Sequence, residues 1–318
     1  MNKILITGAA GFLGYHLINK IINKNYKFIL IDNFKSGKKD IFFKKILKNK
    51  KVSFYNRDLS KPFKIRDKKI SYVFHFAAHV GVKNVIKDPS LTINENISML
   101  INTINAVKEN NKNSKIIFFS TSEVYSPLIE KNIAKFPLKE NSNLLVKNNL
   151  SDRDSYYFSK LAGEKIVELC GLNYLCLRPH NVYGPRMGFS HVIPEIIKKV
   201  LSKKKKFKKI KVHSPSHKRA FCYVDDAINQ IVELTFKNKN YNNTYNIGNS
   251  KEEIRIFDLV KKIKKHLNSH KKVVKFHNTV GSPKRRVPDM NKTIQRISFK
   301  KFTSIDTGIK KYLNWYLN

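Results

Sequence analysis

One octapeptide near the N-terminus constrains this chain more than any other feature: Thr7-Gly8-Ala9-Ala10-Gly11-Phe12-Leu13-Gly14. The apolar run Ile4-Leu5-Ile6 precedes it, and an amphipathic segment, residues 12–22, follows. Strand, glycine turn, helix is the arrangement that presents free backbone N–H groups and the positive end of a helix dipole to a diphosphate. Glycines permit the tight turn and let phosphate oxygens approach the main chain. The spacing is G-x-x-G-x-x-G and not the commoner G-x-G-x-x-G.

A second apolar run, Phe28-Ile29-Leu30-Ile31, ends in Asp32, with Asn33 behind it. An acid about 20 residues beyond the glycines is placed to accept hydrogen bonds from an adenosine ribose. The same charge would repel a 2′-phosphate, so the expected cofactor is NAD and not NADP. The competing reading of Asp32 is a turn residue at a strand end.

Bulk properties narrow the classes further. A chain of 318 residues, 41% hydrophobic, can bury one large core or two modest ones. No run approaches the ~18 apolar residues of a membrane span. The first residues read as a cofactor strand and not as a signal peptide. Three cysteines, Cys170, Cys176 and Cys222, offer neither a disulfide framework nor metal-ligand spacing, so no metal and a cytoplasmic location are expected. The net charge of +40 raises the question of nucleic acid. Its densest cluster is Lys203-Lys204-Lys205-Lys206-Phe207-Lys208-Lys209. Lysine is spread along the whole chain together with asparagine and isoleucine, however, as nucleotide bias would produce. A solvated lysine surface is therefore expected, with the cluster in a loop and no nucleic-acid partner.

Apolar runs at 3–7, 27–31, 52–55, 72–76, 115–120 and 174–178 read as strands, and patterns at 12–23, 91–110 and 156–170 as helices. Alternating strands and helices imply an α/β fold, a Rossmann-type doubly wound parallel sheet. Residues 126–153 are polar and irregular and are expected as a surface excursion. After Arg178 the prolines and glycines multiply, and shorter helices are expected near 193–201, 224–236 and 257–267. Residues 1–176 are expected to form the NAD-binding domain. Residues 177–318 should form a smaller C-terminal α/β substrate-binding region, with part of it returning to the first.

The chemistry centres on two segments. In Ser155-Tyr156-Tyr157-Phe158-Ser159-Lys160, Tyr156 and Lys160 stand four apart and share a helix face. An ammonium beside a phenol lowers its pKa, so Tyr156 can take a hydroxyl proton. Tyr157 fails this test, because Leu161 lies four residues on. Ser120-Thr121-Ser122-Glu123-Val124-Tyr125 follows an apolar run and falls at the carboxyl end of a central strand, where doubly wound sheets bind ligands. Thr121, Ser122 and Glu123 suit hydrogen bonding to sugar hydroxyls.

Together these segments make the chain resemble the extended short-chain dehydrogenase/reductase family, in its nucleotide-sugar epimerase, dehydratase and decarboxylase branch. The resemblance also rests on Asp58-Leu59, His75-Phe76-Ala77-Ala78, Asn96, R-P-H-N-V-Y-G-P-R-M at 178–187, Arg219 through Asp226 and Arg285-Arg286-Val287-Pro288-Asp289. It implies that Asp58 binds adenine, that Leu59 flanks it, and that Ala77 and Ala78 pass close to the cofactor, with Asn96 also in that site. It implies that Thr121 binds the hydroxyl being oxidised and that Lys160 holds the nicotinamide ribose. Asn181, Arg219 and Arg285 or Arg286 would meet the substrate diphosphate, for which guanidinium forks are well shaped. A homodimer built on helices 91–110 and 156–170 is implied as well. Two departures stand out: Ser126-Pro127 where the family usually has glycine, and Ser98-Met99 where it commonly has a glycine turn.

The shared first step implied is oxidation at sugar C4. Epimerase, dehydratase and decarboxylase outcomes remain open. Glu123 resembles the decarboxylase and dehydratase sites, whereas His75 through Val82 looks more like the epimerases. A noncatalytic NAD-binding protein and a nucleic-acid-binding protein are the alternatives of another class.

Overall fold

The computed structural model describes residues 1–66, 69–203, 208–237, 240–279 and 281–318. Residues 204–207 of the lysine cluster lie outside the described residues.

The first strands are short and almost wholly apolar, as strands covered on both faces must be. They are β1 (Lys3–Thr7), β2 (Lys27–Asp32), β3 (Val52–Asn56), β4 (Ile70–His75), β5 (Lys115–Phe119) and β6 (Asn173–Pro179). A seventh, Asn243–Ile247, completes the sheet in the order Asn243–Ile247, β6, β5, β4, β1, β2, β3. β1 pairs in parallel with both β2 and β4, so the chain reverses its direction of travel across the sheet there. The crevice at such a reversal is where doubly wound sheets take their ligands. The sheet is Rossmann-type, as expected.

Six helices follow in chain order: α1 (Phe12–Ile21), α2 (Ile41–Leu47), α3 (Val82–Lys87), α4 (Pro89–Lys108), α5 (Ser126–Glu130) and α6 (Asp154–Leu169). Asp88 caps α4, accepting from Leu91 N at 2.8 Å, and Pro89 opens its first turn without losing a needed N–H. Ser98 and Met99 lie inside an unbroken α4, with Met99 7% exposed in the core. α4 and α6 pack side by side. The core between sheet and helices includes Leu5, Ile29, Val73, Leu100, Ile116 and Val167. Each such buried side chain contributes about 1.5–3 kcal/mol.

The chain forms two compact units. One comprises Met1–Val124, Leu144–Arg178 and Ile228–Tyr245; the other comprises Tyr125–Asn143, Pro179–Ala227 and Asn246–Asn318. The later helices are Val192–Leu201, Val224–Thr235, Ile256–His266 and Ile305–Leu317. The polar stretch 126–153 does not begin as a surface excursion. Ser126, Pro127, Leu128 and Ile129 of α5 are buried, and Leu138 is 1% exposed.

Candidate active site

The glycine turn is built as a cradle. Gly8 has φ +65°, and a Cβ there would sit 2.7 Å from Ala77 N. At Gly14 a Cβ would sit 2.4 Å from Gly8 O. Thr7 Oγ1 accepts from Ala77 N at 3.3 Å, which ties the chain after β4 to the end of β1. Gly11 caps α1 without a side-chain hydrogen bond, and no acid occupies the first turn at Phe12 and Leu13. A helix start left open in this way suits a diphosphate.

Asp32 closes the far side of the turn. Its oxygens accept from Ala10 N at 2.9 Å and from Phe34 N at 2.7 Å. Burial raises its pKa, and the two N–H groups oppose that rise. Asp32 is therefore a turn residue whose carboxylate oxygens each keep a lone pair for a further donor. Asn33 Oδ1 accepts from Lys35 N at 3.0 Å and shapes the turn. Asp58 accepts from Ser60 N at 3.0 Å and from Ser60 Oγ at 2.8 Å. Leu59 is 3% exposed, and its side chain belongs to the core cluster. Asn96 is also more of a brace than a contact. It accepts from His79 N at 2.6 Å and donates to His79 O at 3.3 Å and Ser159 Oγ at 2.9 Å.

These residues fit a dinucleotide: an uncapped helix start, a turn in which Gly8 and Gly14 pack too closely on neighbouring backbone to take a Cβ, and carboxylates at the end of β2 and just beyond β3. Asp32→Ala should weaken NAD binding and relax its preference over NADP. Calorimetry showing tighter NADP binding to the unmodified protein would refute the assignment of Asp32.

The residues expected to carry the chemistry come together beyond β5. Glu123 N donates to Thr121 Oγ1 at 3.2 Å in the short turn Ser122–Tyr125. The Thr121 hydroxyl and the Glu123 carboxylate both act on the Tyr156 phenol, the first lowering its pKa and the second raising it. Ser122 is 3% exposed. Lys160 is 3% exposed; its Nζ donates to Phe119 O at 2.8 Å and lies 5.0 Å from the centroid of the Phe118 ring.

The electrostatics depart from expectation. Tyr156 has a raised pKa: burial dominates, Glu123 adds to it, and the hydrogen bond from Thr121 opposes. A buried phenolate loses more hydration than its neighbours restore. Burial pulls Lys160 down to about 8. Burial, reinforced by Lys160, pulls His75 down to about 3, so His75 is neutral, with Thr7 Oγ1 3.1 Å from its Nδ1.

Sequence reading missed two features of this unit. Glu164 continues the Tyr156–Lys160 face by another four residues. It receives Arg178 Nε at 2.9 Å, Arg178 Nη2 at 2.7 Å and Ser120 Oγ at 2.5 Å, all buried. The same spacing of four could have revealed it. Lys35 is the other, and nothing in its turn sequence marks it.

In the second unit, strand Arg285–Arg286 runs parallel to strand Lys218–Ala220, with Arg286 opposite Arg219. Arg219 and Arg286 are 9% and 7% exposed. Arg219 donates to Lys218 O at 2.8 Å and Ser282 Oγ at 2.9 Å. Arg286 donates to Ser126 Oγ at 3.2 Å, which gives the Ser126 departure a structural role. Arg285 points away and holds Glu253 with two bonds of 2.7 and 2.8 Å. Of the two candidates, Arg286 is the one paired with Arg219. Asn181, at φ +39°, donates to Ala220 O at 3.0 Å.

An open glycine cradle and a tyrosine–lysine helix on a doubly wound sheet define a dinucleotide-dependent enzyme class. The chain belongs to the NAD dependent epimerase/dehydratase family, whose model matches residues 4–248. A Methanocaldococcus jannaschii protein assigned as a UDP-glucose 4-epimerase is 30% identical, the match covering 99% of this chain and 98% of that one. A UDP-N-acetyl-alpha-D-glucosaminuronate decarboxylase of Bacillus cytotoxicus is 28% identical over 99% of this chain and 97% of its own. The crystal structure of a Bacillus cereus UDP-glucuronic acid 4-epimerase variant with NAD and a fluorinated substrate analogue has a TM-score of 0.82. It is 27% identical and covers 98% of both chains. The protein is thus an NAD-dependent enzyme of the nucleotide-sugar epimerase, dehydratase and decarboxylase class. Among the described residues no helix is long and apolar enough to cross a membrane.

Proposed function

We propose that this enzyme transforms a nucleoside-diphosphate sugar through transient oxidation at C4, with Tyr156 as the group that takes and returns the hydroxyl proton. The carrying observation is that Tyr156 and Lys160 stand one turn apart on α6, with the phenol in the field of Thr121 and Glu123, which are joined in the turn after β5. When bound, NAD supplies the acceptance and return of hydride. Gly8, Gly11, Phe12, Leu13 and Gly14 would hold its diphosphate; Asp32, Asn33 and Asp58 its adenosine; Ala77, Ala78 and Lys160 its nicotinamide half.

Thr121 orients the C4 hydroxyl. Tyr156, protonated at rest because of its raised pKa, is suited to returning a proton to a C4 oxygen. Lys160, one helical turn away, is the cation that would favour the tyrosinate needed for the reverse transfer. Arg219 and Arg286 lie side by side as fixed donors for the substrate diphosphate, with Asn181 beside strand Lys218–Ala220.

Glu123 favours a second version of the reaction. A carboxylate touching the field of Tyr156 is placed for chemistry beyond C4, as a decarboxylase or dehydratase requires. Incubation with a panel of nucleotide sugars, read by mass and NMR, separates loss of water, loss of carbon dioxide and inversion. Glu123→Gln should allow C4 oxidation but cut a decarboxylated or dehydrated product sharply. If the enzyme is a plain epimerase, the same change should be mild.

A homodimer formed through α4 and α6 belongs to this proposal. Leu91 and Ile101 of α4 are 38% and 39% exposed, and Leu169 of α6 is 85% exposed. Light scattering at micromolar protein should give twice the chain mass; the mass of one chain would refute the interface. A cytosolic location fits the three free cysteines.

A further inference from the structure

Lys35 sits in the turn after β2, three residues beyond Asp32, and reaches out of it. Its Nζ lies 3.1 Å from Asp58 Oδ2, after β3, and 3.2 Å from Glu95 Oε1, on α4. The other oxygen of Glu95 meets His79 Nδ1, after β4, at 2.9 Å. His79 is bound through its backbone to Asn96, and Asn96 to Ser159 of α6. One ammonium thus joins the segments that leave β2, β3 and β4, and the chain of contacts ends one residue before Lys160. Both oxygens of Asp58 are engaged, Oδ2 by Lys35 and Oδ1 by Ser60, so a ligand that binds this carboxylate must share it with Lys35 or displace it.

We infer that Lys35 is a cofactor-site residue: its ammonium, shared by Asp58 and Glu95, bars the adenosine end of the dinucleotide site and sets how fast NAD exchanges. The inference rests on the proposed NAD site. Hydrogen bonds to the two carboxylates raise the pKa of Lys35, and Asp58 is lowered, so both are charged at neutral pH. Lys35 itself is 58% exposed, whereas Glu95 is 14% exposed. An exposed ion pair adds little to fold stability and is screened by salt. A bar across an opening acts on rates, where a small barrier is measurable, and it slows entry and exit alike.

The test loads the protein with radiolabelled NAD and chases it with unlabelled NAD. Release from Lys35→Ala and from Glu95→Gln should be about 3- to 10-fold faster, while the equilibrium Kd stays within about 2-fold, the scale of losing one or two screened contacts. Lys35→Arg, which keeps the charge, should release at nearly the unmodified rate. Added salt should speed release from the unmodified protein and leave Lys35→Ala unchanged. Equal release rates for the unmodified protein and Lys35→Ala would overturn the inference. So would a weaker Kd with an unchanged entry rate, which would make Lys35 a simple contact. Failure of the NAD reading looks different: the unmodified protein would then retain no label at all.

Discussion

Tyr156→Phe is expected to lower turnover by about 10² to 10⁴, the scale of a positioned acid–base group. The substitution keeps the ring and removes the phenolic oxygen on which Thr121 and Glu123 act. Folding and NAD binding should therefore survive, and calorimetry with NAD checks this on the same preparation. Single-turnover absorbance at the reduced nicotinamide band reports the first oxidation directly. In the variant that signal should slow together with product formation. Full activity on the true substrate would refute the role of Tyr156. An unchanged first oxidation with slow product would move the phenol to a later step. The raised pKa of Tyr156 sharpens the expectation, because the phenol is protonated at rest and its loss removes a proton donor.

The second large effect is on stability. Glu164 and Arg178 form a two-pronged ion pair whose side chains are 1% and 5% exposed. Breaking such a pair strands a buried charge and costs about 3–5 kcal/mol. That is a large part of the ~5–15 kcal/mol that holds a typical domain together. Glu164→Ala and Arg178→Ala should each lower the urea midpoint strongly. Replacing both by apolar residues of similar volume should recover most of the loss, since no lone charge remains. A single variant that unfolds at the unmodified midpoint would show that the pair contributes nothing. Ser120, which donates to Glu164, links the same pair to the end of β5, so partial loss of the pair should also loosen the Thr121–Glu123 turn.

Much of this protein was legible in the order of its residues because the signals are local. The glycine turn follows an apolar strand, Asp32 ends the next one, and Tyr156 and Lys160 stand one helical turn apart. Such patterns fix backbone conformation and helix face without help from distant parts of the chain. The short helices α2 and α3 and the strand Asn243–Ile247 were missed, as their apolar patterns are brief and interrupted by polar residues. The buried start of α5 was misread for the same reason: Ser126-Pro127 looks like a turn, yet it packs inward.

Tertiary structure alone decided which charges meet and which are desolvated. Folding ties Lys160 to Phe119 O, and desolvation raises the pKa of Tyr156 against the effect of Thr121. Leu59 went to the core, and Asn96 became a brace between His79 and Ser159. Pairing of the strands Lys218–Ala220 and Arg285–Arg286 put Arg286 beside Arg219 and turned Arg285 toward Glu253. Lys35 met Asp58 and Glu95, 23 and 60 residues away. Local pattern sets which residues can share a strand or a helix face; a pKa or an ion pair depends on water excluded and on groups brought together across tens of residues, and these exist only once the chain has folded.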